Sequence, residues 1–215
     1  MNAQVQTFKN AEAFWGEARE IFIAAQTSSF RVAASGGSAA NIFDVLNAEE
    51  VKNIDLYQAD ERFVDHESPD SNVKLLNEKI SNNIKNKYYF EILETPEKSA
   101  ENYAKKLIPD GDGFLFDLVI LGVGPDGHTA SLFPGSDLDT SNLTQVTHTD
   151  QFAVPIRLTL SLSALKKSRN ILVLLPSPSK KDVLEKMTDE ETLIENCPAR
   201  AVMNLEQTQV LWLAS

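Results

Sequence analysis

The residues best suited to chemistry stand together past the middle of the chain, in Gly122-Val123-Gly124-Pro125-Asp126-Gly127-His128. An unperturbed imidazole titrates at about pH 6.5, so at neutral pH it can take a proton from water. A carboxylate two residues away can orient that ring or raise its basicity. Asp126 and His128 are therefore the candidate catalytic pair, with His128 as the base and Gly124 among the glycines that leave room for a substrate. The plainer alternative is a histidine that bonds a loop carbonyl. The same glycines satisfy G-x-G-x-x-G, the spacing of a dinucleotide-binding loop. Pro125 occupies a variable position, however, and Pro134 limits any helix that follows. No strand ending in an acidic residue follows at the required distance of about 20 residues. A nicotinamide site is not expected.

Two further clusters suit an anionic ligand. In Ser35-Gly36-Gly37-Ser38, paired glycines let the backbone approach a ligand closely. A helix starting there would offer free N–H groups to a phosphate. The alternative is an ordinary strand-to-helix turn capped by Ser38. In Asp60-Glu61-Arg62, followed by Ser71-Asn72, the arginine can hold a phosphate through two N–H groups while a neighbouring acid fixes its direction. A solvated loop is the competing reading. Arg157, after Pro155, and Lys180, after Pro178, are the remaining candidate cations. His66 and His148 lie in polar stretches and are expected to be solvated. Three scattered histidines do not make a metal site, so none is expected. The lone Cys197 reads as a packed small hydrophobe.

Elements that position these residues follow from hydrophobic periodicity. Helices are expected at Phe8 to Gln26 (with Phe8, Ala11, Trp15, Ala18 and Phe22 on one face), Ala39 to about Leu46, Pro69 to Lys79, Glu97 to Leu107 and Lys180 to Met187. Strands are expected at Phe30 to Ala34, Ile54 to Ala59, Phe116 to Leu121, Asn170 to Leu175 and Val210 to Leu213. Pro109 to Gly113 and Pro134 to Asn142 read as loops. Apolar strands alternating with helices predict an α/β fold with a mostly parallel sheet. Ligands bind beyond the carboxyl ends of such strands, and the polar clusters fall after Ala34, Ala59 and Leu121.

With 215 residues, 42% of them hydrophobic, a single domain spanning residues 1–215 is expected. The net charge of -11 and the absence of a basic stripe argue against nucleic acid. It also requires that any anion site be local, with remote carboxylates screened beyond about 8 Å. No apolar run approaches the roughly 20 residues of a membrane span. Met1 to Lys9 lacks the pattern of a signal peptide, so a cytoplasmic protein without a membrane partner is expected.

Taken together, these segments resemble the 6-phosphogluconolactonase family, which shares its superfamily with glucosamine-6-phosphate isomerases. The resemblance rests on Ser35 to Ser38, Asp60 to Arg62 with Ser71-Asn72, Arg157-Leu158-Thr159-Leu160 and the Lys180 segment. Its specific part is Phe116-Asp117-Leu118 through Gly127-His128-Thr129-Ala130-Ser131-Leu132-Phe133-Pro134. It implies a Rossmann-like three-layer α/β/α sandwich. It also implies cofactor-free hydrolysis of 6-phospho-D-glucono-1,5-lactone to 6-phosphogluconate, a step of the oxidative pentose phosphate pathway. In that family His128 matches the base that activates water, with Asp126 beside it. Arg62, Arg157 and Lys180 match the cationic substrate positions, and a monomer is the expectation. Isomerase relatives carry a tyrosine where this chain has Arg62, and Asn-Glu-Pro where it has Leu132-Phe133-Pro134. A phosphosugar-binding module without turnover is the other alternative, but it would need no base. Departures from the family pattern are Ala39-Ala40 in place of Thr-Pro, Ser177 in place of a glycine, and an end at Ser215 without the usual acid. Lys181, adjacent to Lys180, leaves open which lysine faces the ligand.

Overall fold

The computed structural model describes residues 4–80, 84, 86–138 and 140–215. Met1 to Ala3, and Asp139 of the expected loop, therefore lie outside the described residues. In chain order the first elements are β1 (Gln4–Phe8), α1 (Ala11–Ala24), β2 (Arg31–Ala34), a 3₁₀ helix (Gly37–Asp44), α2 (Ala48–Val51), β3 (Asp55–Gln58) and β4 (Asp60–Arg62). Next come α3 (Asn72–Lys79), β5 (Asn86–Tyr88), α4 (Pro96–Ala104), β6 (Phe116–Leu121), β7 (Thr144–His148) and β8 (Ile156–Leu160). The chain continues through α5 (Leu162–Lys166), β9 (Ser168–Leu175), a 3₁₀ turn (Pro178–Lys180), α6 (Lys181–Thr188), α7 (Pro198–Met203) and β10 (Thr208–Leu213).

Seven strands form one sheet in the order β1-β10-β9-β6-β2-β3-β5, every pair parallel. Its central strands read as continuous apolar runs because both faces are covered. Alternate residues go to opposite cores: Val32, Leu118 and Ile120 join Phe14, Phe22, Ile42 and Leu76 on one side. Ala33, Val119 and Leu121 join Tyr103, Leu165, Met187 and Val202 on the other. The result is the expected α/β/α sandwich with a mostly parallel sheet. Between β2 and β6 the strand order reverses, so the loops leaving their carboxyl ends part and open a crevice.

A second sheet, antiparallel and ordered β4-β8-β7, stands over that crevice. Asp60-Glu61-Arg62, expected as an anion-binding cluster just past the end of a strand, is itself one of its strands and pairs Arg62 with Arg157. Polar side chains and short length hid β4 and β7, and the cross-strand partners that make them strands are distant in sequence. The helix expected from Phe8 starts only at Ala11, because the Asn10 side chain accepts from Ala13 N and caps it. Phe8 belongs instead to β1, beside Leu213, and the buried face of α1 is Phe14, Ala18 and Phe22 rather than one including Ala11 and Trp15. After the serine-glycine turn the helix is 3₁₀, not α, and no side chain caps it; Ser38 lies inside it.

Glu61 ties the two sheets to α3. It is fully buried and accepts from five donors: Arg62 N and Asn72 N at 2.7 Å, Gln58 Nε2 and Val73 N at 2.9 Å, and Ser71 Oγ at 3.0 Å. A carboxylate at a helix N-terminus meets both free N–H groups and the positive end of the helix dipole. Glu61→Ala would leave these donors unpaired in the interior and should cost about 3 kcal/mol. A lowered urea midpoint is the expected reading, with Glu61→Gln less affected; an unchanged midpoint for Glu61→Ala would refute the role.

Candidate active site

A cleft of about 210 Å³ opens at the carboxyl ends of the sheet. Ser35, Gly36, Gly37 and Ser38 line it from the end of β2, Asp60 and Arg62 from β4, and Asn72 from the start of α3. Gly122, Val123, Gly124, His128 and Ala130 line it from the loop after β6, Arg157 from β8, and Lys180 from the turn before α6. Asp126 is not on the wall and stands behind His128, while Glu61 and Ser71 bond to each other beneath the cleft. Segments separated by more than a hundred residues thus meet in one place.

The loop after β6 closes on itself without forming a helix, which removes the structural basis of a dinucleotide loop. Gly124 N donates to His128 O at 2.9 Å, Gly127 N to Gly124 O at 3.0 Å, and Thr129 Oγ1 to Gly122 O at 2.8 Å. Gly127 needs its freedom: its φ is +92°, and a Cβ there would lie 2.8 Å from the Sγ of Cys197, the packed thiol beneath the turn. Ala130 turns the chain back with a φ of +49°, the left-handed region that an L side chain enters at a cost.

His128 Nδ1 lies 2.5 Å from Asp126 Oδ1, and the same oxygen accepts the His128 backbone N–H at 3.2 Å. With Nδ1 donating to the carboxylate, Nε2 keeps the lone pair that a base requires. Burial pushes the Asp126 carboxyl up, yet its hydrogen bonds to the ring and the backbone N–H of His128 and its electrostatic interaction with that ring outweigh this and hold it below the usual range. Asp126 thus stays ionised at neutral pH. Gly124 is required at this spot: a Cβ would sit 2.1 Å from His128 Cε1 and 2.2 Å from Nδ1.

Three cations face the cleft, each tethered to a backbone carbonyl. Arg62 Nη1 donates to Asp70 O, Arg157 Nε to Val154 O at 2.9 Å, and Lys180 Nζ to Val123 O at 2.8 Å. The acids beside Arg62 do not aim its guanidinium as the sequence suggests. Asp60 accepts from Ser131 Oγ at 2.8 Å, and Glu61 is committed to α3. Burial lowers the pKa of Arg157, helped by the neighbouring charge of Arg62; burial also lowers that of Lys180, against the pull of Asp126. Lys181 points outward and pairs with Glu185 at 3.6 Å, so Lys180 is the lysine on the cleft.

Four buried side-chain polar atoms among the described residues have no partner in the protein: Ser35 Oγ, Arg62 Nε, Asn72 Oδ1 and Asp126 Oδ2. All belong to this site. An unpaired buried polar group costs about 1–3 kcal/mol, so their concentration here marks surface shaped for a ligand. Asn72 Nδ2 donates to Asp60 O at 3.0 Å, and a Cβ on Gly36 would lie 2.2 Å from Asn72 Oδ1. That close approach explains the first glycine of the turn.

His66 is not solvated as expected; its Nε2 lies 2.8 Å from Phe90 O. His148 is exposed beside Asp150. Phe133 and Phe152, which the sequence reading passes over as chemistry, flank His128 at 4.8 and 5.5 Å between ring centroids. Phe133 sits within the long segment after β6, but nothing in the local pattern around Phe152 marks it.

An α/β/α sandwich with a histidine–carboxylate pair and three cations at the strand-order reversal defines a protein built to act on a small anionic substrate. The chain belongs to the glucosamine-6-phosphate isomerases/6-phosphogluconolactonase family, whose model matches residues 6–212. It is 33% identical to a 6-phosphogluconolactonase of Thermotoga maritima, over 83% of this chain and 81% of that protein. A 6-phosphogluconolactonase of Synechocystis is 28% identical over 85% and 80% of the two chains. The crystal structure of a 6-phosphogluconolactonase from Shewanella baltica superposes with a TM-score of 0.87 at 25% identity, covering 99% of this chain and 98% of that one.

Gly124→Ala should push the imidazole off Asp126 while leaving the sheet intact. A displacement of this size is worth about 10²-fold in turnover. Shifted His128 ring resonances in NMR, with an unchanged thermal midpoint, are the expected result; wild-type turnover would disprove the packing argument.

Proposed function

We propose that this chain is a 6-phosphogluconolactonase, a carboxylic ester hydrolase that opens 6-phospho-D-glucono-1,5-lactone to 6-phosphogluconate. The observation that carries the reading is the His128–Asp126 pair, at 2.5 Å, in a cleft whose three cations are tied to carbonyls. A δ-lactone is an activated ester, so a positioned water and one base suffice without a covalent nucleophile. His128 Nε2 takes a proton from water, and the water oxygen bonds to C1 of the lactone. The carbonyl oxygen becomes an oxyanion. On collapse the bond from C1 to the ring oxygen breaks, and that oxygen recovers a proton from His128. Asp126 steadies the imidazolium between the two transfers. Cations at the other end fix the phosphate, and that remote binding holds the lactone against the base.

Two features weigh against isomerase chemistry. Arg62 stands where the isomerase pattern has a tyrosine, and Phe133 where it has a glutamate that handles protons during ring opening. A binding module without turnover would have no use for a base held by an ionised carboxylate. Among the described residues no helix is long and apolar enough to cross a membrane. We place the enzyme in the cytoplasm, in the oxidative pentose phosphate pathway, acting as a monomer on its phosphosugar substrate.

Hydrolysis of 6-phosphogluconolactone above its spontaneous rate, run beside glucosamine 6-phosphate deamination, tests the reading directly; deamination without lactone hydrolysis would reverse it. His128→Ala should lose about 10³-fold in kcat, the scale of general-base catalysis, while still binding phosphogluconate. Unchanged turnover would remove His128 from its role. Arg62→Ala should act chiefly on KM for the phosphorylated lactone, raising it about tenfold or more. An equal loss on unphosphorylated gluconolactone would rule out a phosphate contact.

A further inference from the structure

His128 and Arg157 lie against the same two aromatic rings. The His128 ring is 4.8 Å from the Phe133 centroid and 5.5 Å from that of Phe152, edge-on to the latter at 84°. The Arg157 guanidinium carbon is 5.7 Å from the Phe133 centroid and 5.4 Å from that of Phe152. The two rings are themselves 5.8 Å apart. Two groups braced by one pair of rings are neighbours, so Arg157 stands beside the base. In a 1,5-lactone bearing phosphate on C6, the carbonyl under attack is several bonds from the phosphorus. A cation next to the base is therefore next to the carbonyl, and the phosphate needs other partners.

We propose that Arg157 is the cation that faces the lactone carbonyl and its tetrahedral oxyanion, and that Phe152 is the residue that positions it. The proposal rests on the lactonase reading above and goes beyond it by assigning the two ends of the substrate. As water adds to C1 and His128 takes its proton, the carbonyl π pair moves onto the carbonyl oxygen. That charge then lies against the guanidinium until the ring C–O bond breaks and the leaving oxygen takes the proton back. No co-reactant is needed.

The brace suits the task. A ring face attracts a cation without neutralising it, unlike a carboxylate. Among the described residues no carboxylate forms an ion pair with Arg157, and its Nε donates to Val154 O in the loop that carries Phe152. Its terminal nitrogens are left for the substrate. Burial and the nearby charge of Arg62 both disfavour the guanidinium charge, so an arriving oxyanion is worth more here than in water. Phe133 is buried, whereas Phe152 is 39% exposed and touches His128, Phe133 and Arg157.

The test measures kcat for 6-phosphogluconolactone and the inhibition constant of inorganic phosphate, which probes the phosphate end alone. Arg157→Gln should lower kcat by about 10²-fold, the scale of losing one oxyanion donor, and leave phosphate inhibition within about twofold. Phe152→Leu, which keeps apolar bulk but no ring face, should lower kcat by about tenfold with the same phosphate constant. Phe152→Tyr should restore most of that loss. Weakened phosphate inhibition with kcat unchanged would move Arg157 to the phosphate end and overturn the proposal. Wild-type kcat in Phe152→Leu would remove the positioning role. Should the wild-type protein fail to accelerate lactone opening, the lactonase reading itself falls, and the two failures are told apart.

Discussion

Positive charge in this cleft is held in place by neutral oxygens, and the rest of the site depends on that arrangement. Arg62, Arg157 and Lys180 each donate to a main-chain carbonyl. A carbonyl fixes direction but leaves the full charge available, whereas a carboxylate at the same distance would cancel most of it. In a protein with a net charge of -11 this is a demanding requirement. Elsewhere on the surface the usual pairs form, such as Lys79 with Asp44 at 2.6 Å and Lys106 with Glu91 at 2.6 Å. Those pairs are exposed and weakly stabilising. The cleft is different because its acids are engaged otherwise.

How they are engaged explains the second sheet. Asp60 and Glu61 immediately precede Arg62 in β4, and either could neutralise it. Asp60 instead accepts from Ser131 Oγ, joining β4 to the loop that carries His128. Glu61 takes five donors at the start of α3. Each acid is thus consumed by a structural bond, and each bond draws a different wall of the cleft together. Pairing of Arg62 with Arg157 across β4 and β8 then places like charges side by side. Their mutual repulsion is countered in part by the nearby charges of Asp60, Glu61 and Asp70 and is relieved further when an anion arrives.

Much of the site was legible in the sequence because its parts follow strands that are themselves easy to see. Leu118 to Leu121 is fully apolar and could only be a covered strand, so the polar run after it had to lie at a carboxyl end. The same holds for Ser35 after β2. What stayed hidden was short or long-range. β4 has three charged residues and becomes a strand only by pairing with β8, nearly a hundred residues later. Glu61 looked like one acid in a charged triplet, and nothing local shows that its partners are Gln58, Ser71, Asn72 and Val73. Phe152 sits in a polar stretch with no period to interpret. The choice between Lys180 and Lys181 needed the start of α6, because one residue of helix rotation separates a cleft-facing side chain from a solvated one.

The position of Phe133 connects fold to reaction type. In the isomerase pattern that position carries a glutamate, a second group able to titrate. Here it carries a buried ring 4.8 Å from the imidazole. A ring in place of an acid carries no proton and covers one side of the imidazole with apolar surface. It also leaves Asp126 as the single carboxylate in contact with His128 among the described residues. One base with one carboxylate can shuttle a single proton from water to a leaving oxygen and back. Ring opening of an amino sugar followed by proton transfer between adjacent carbons needs more than that. The same ring also lies 5.7 Å from the Arg157 guanidinium carbon, so one side chain both stands where the isomerase pattern has an acid and forms a wall shared by the histidine and the cation.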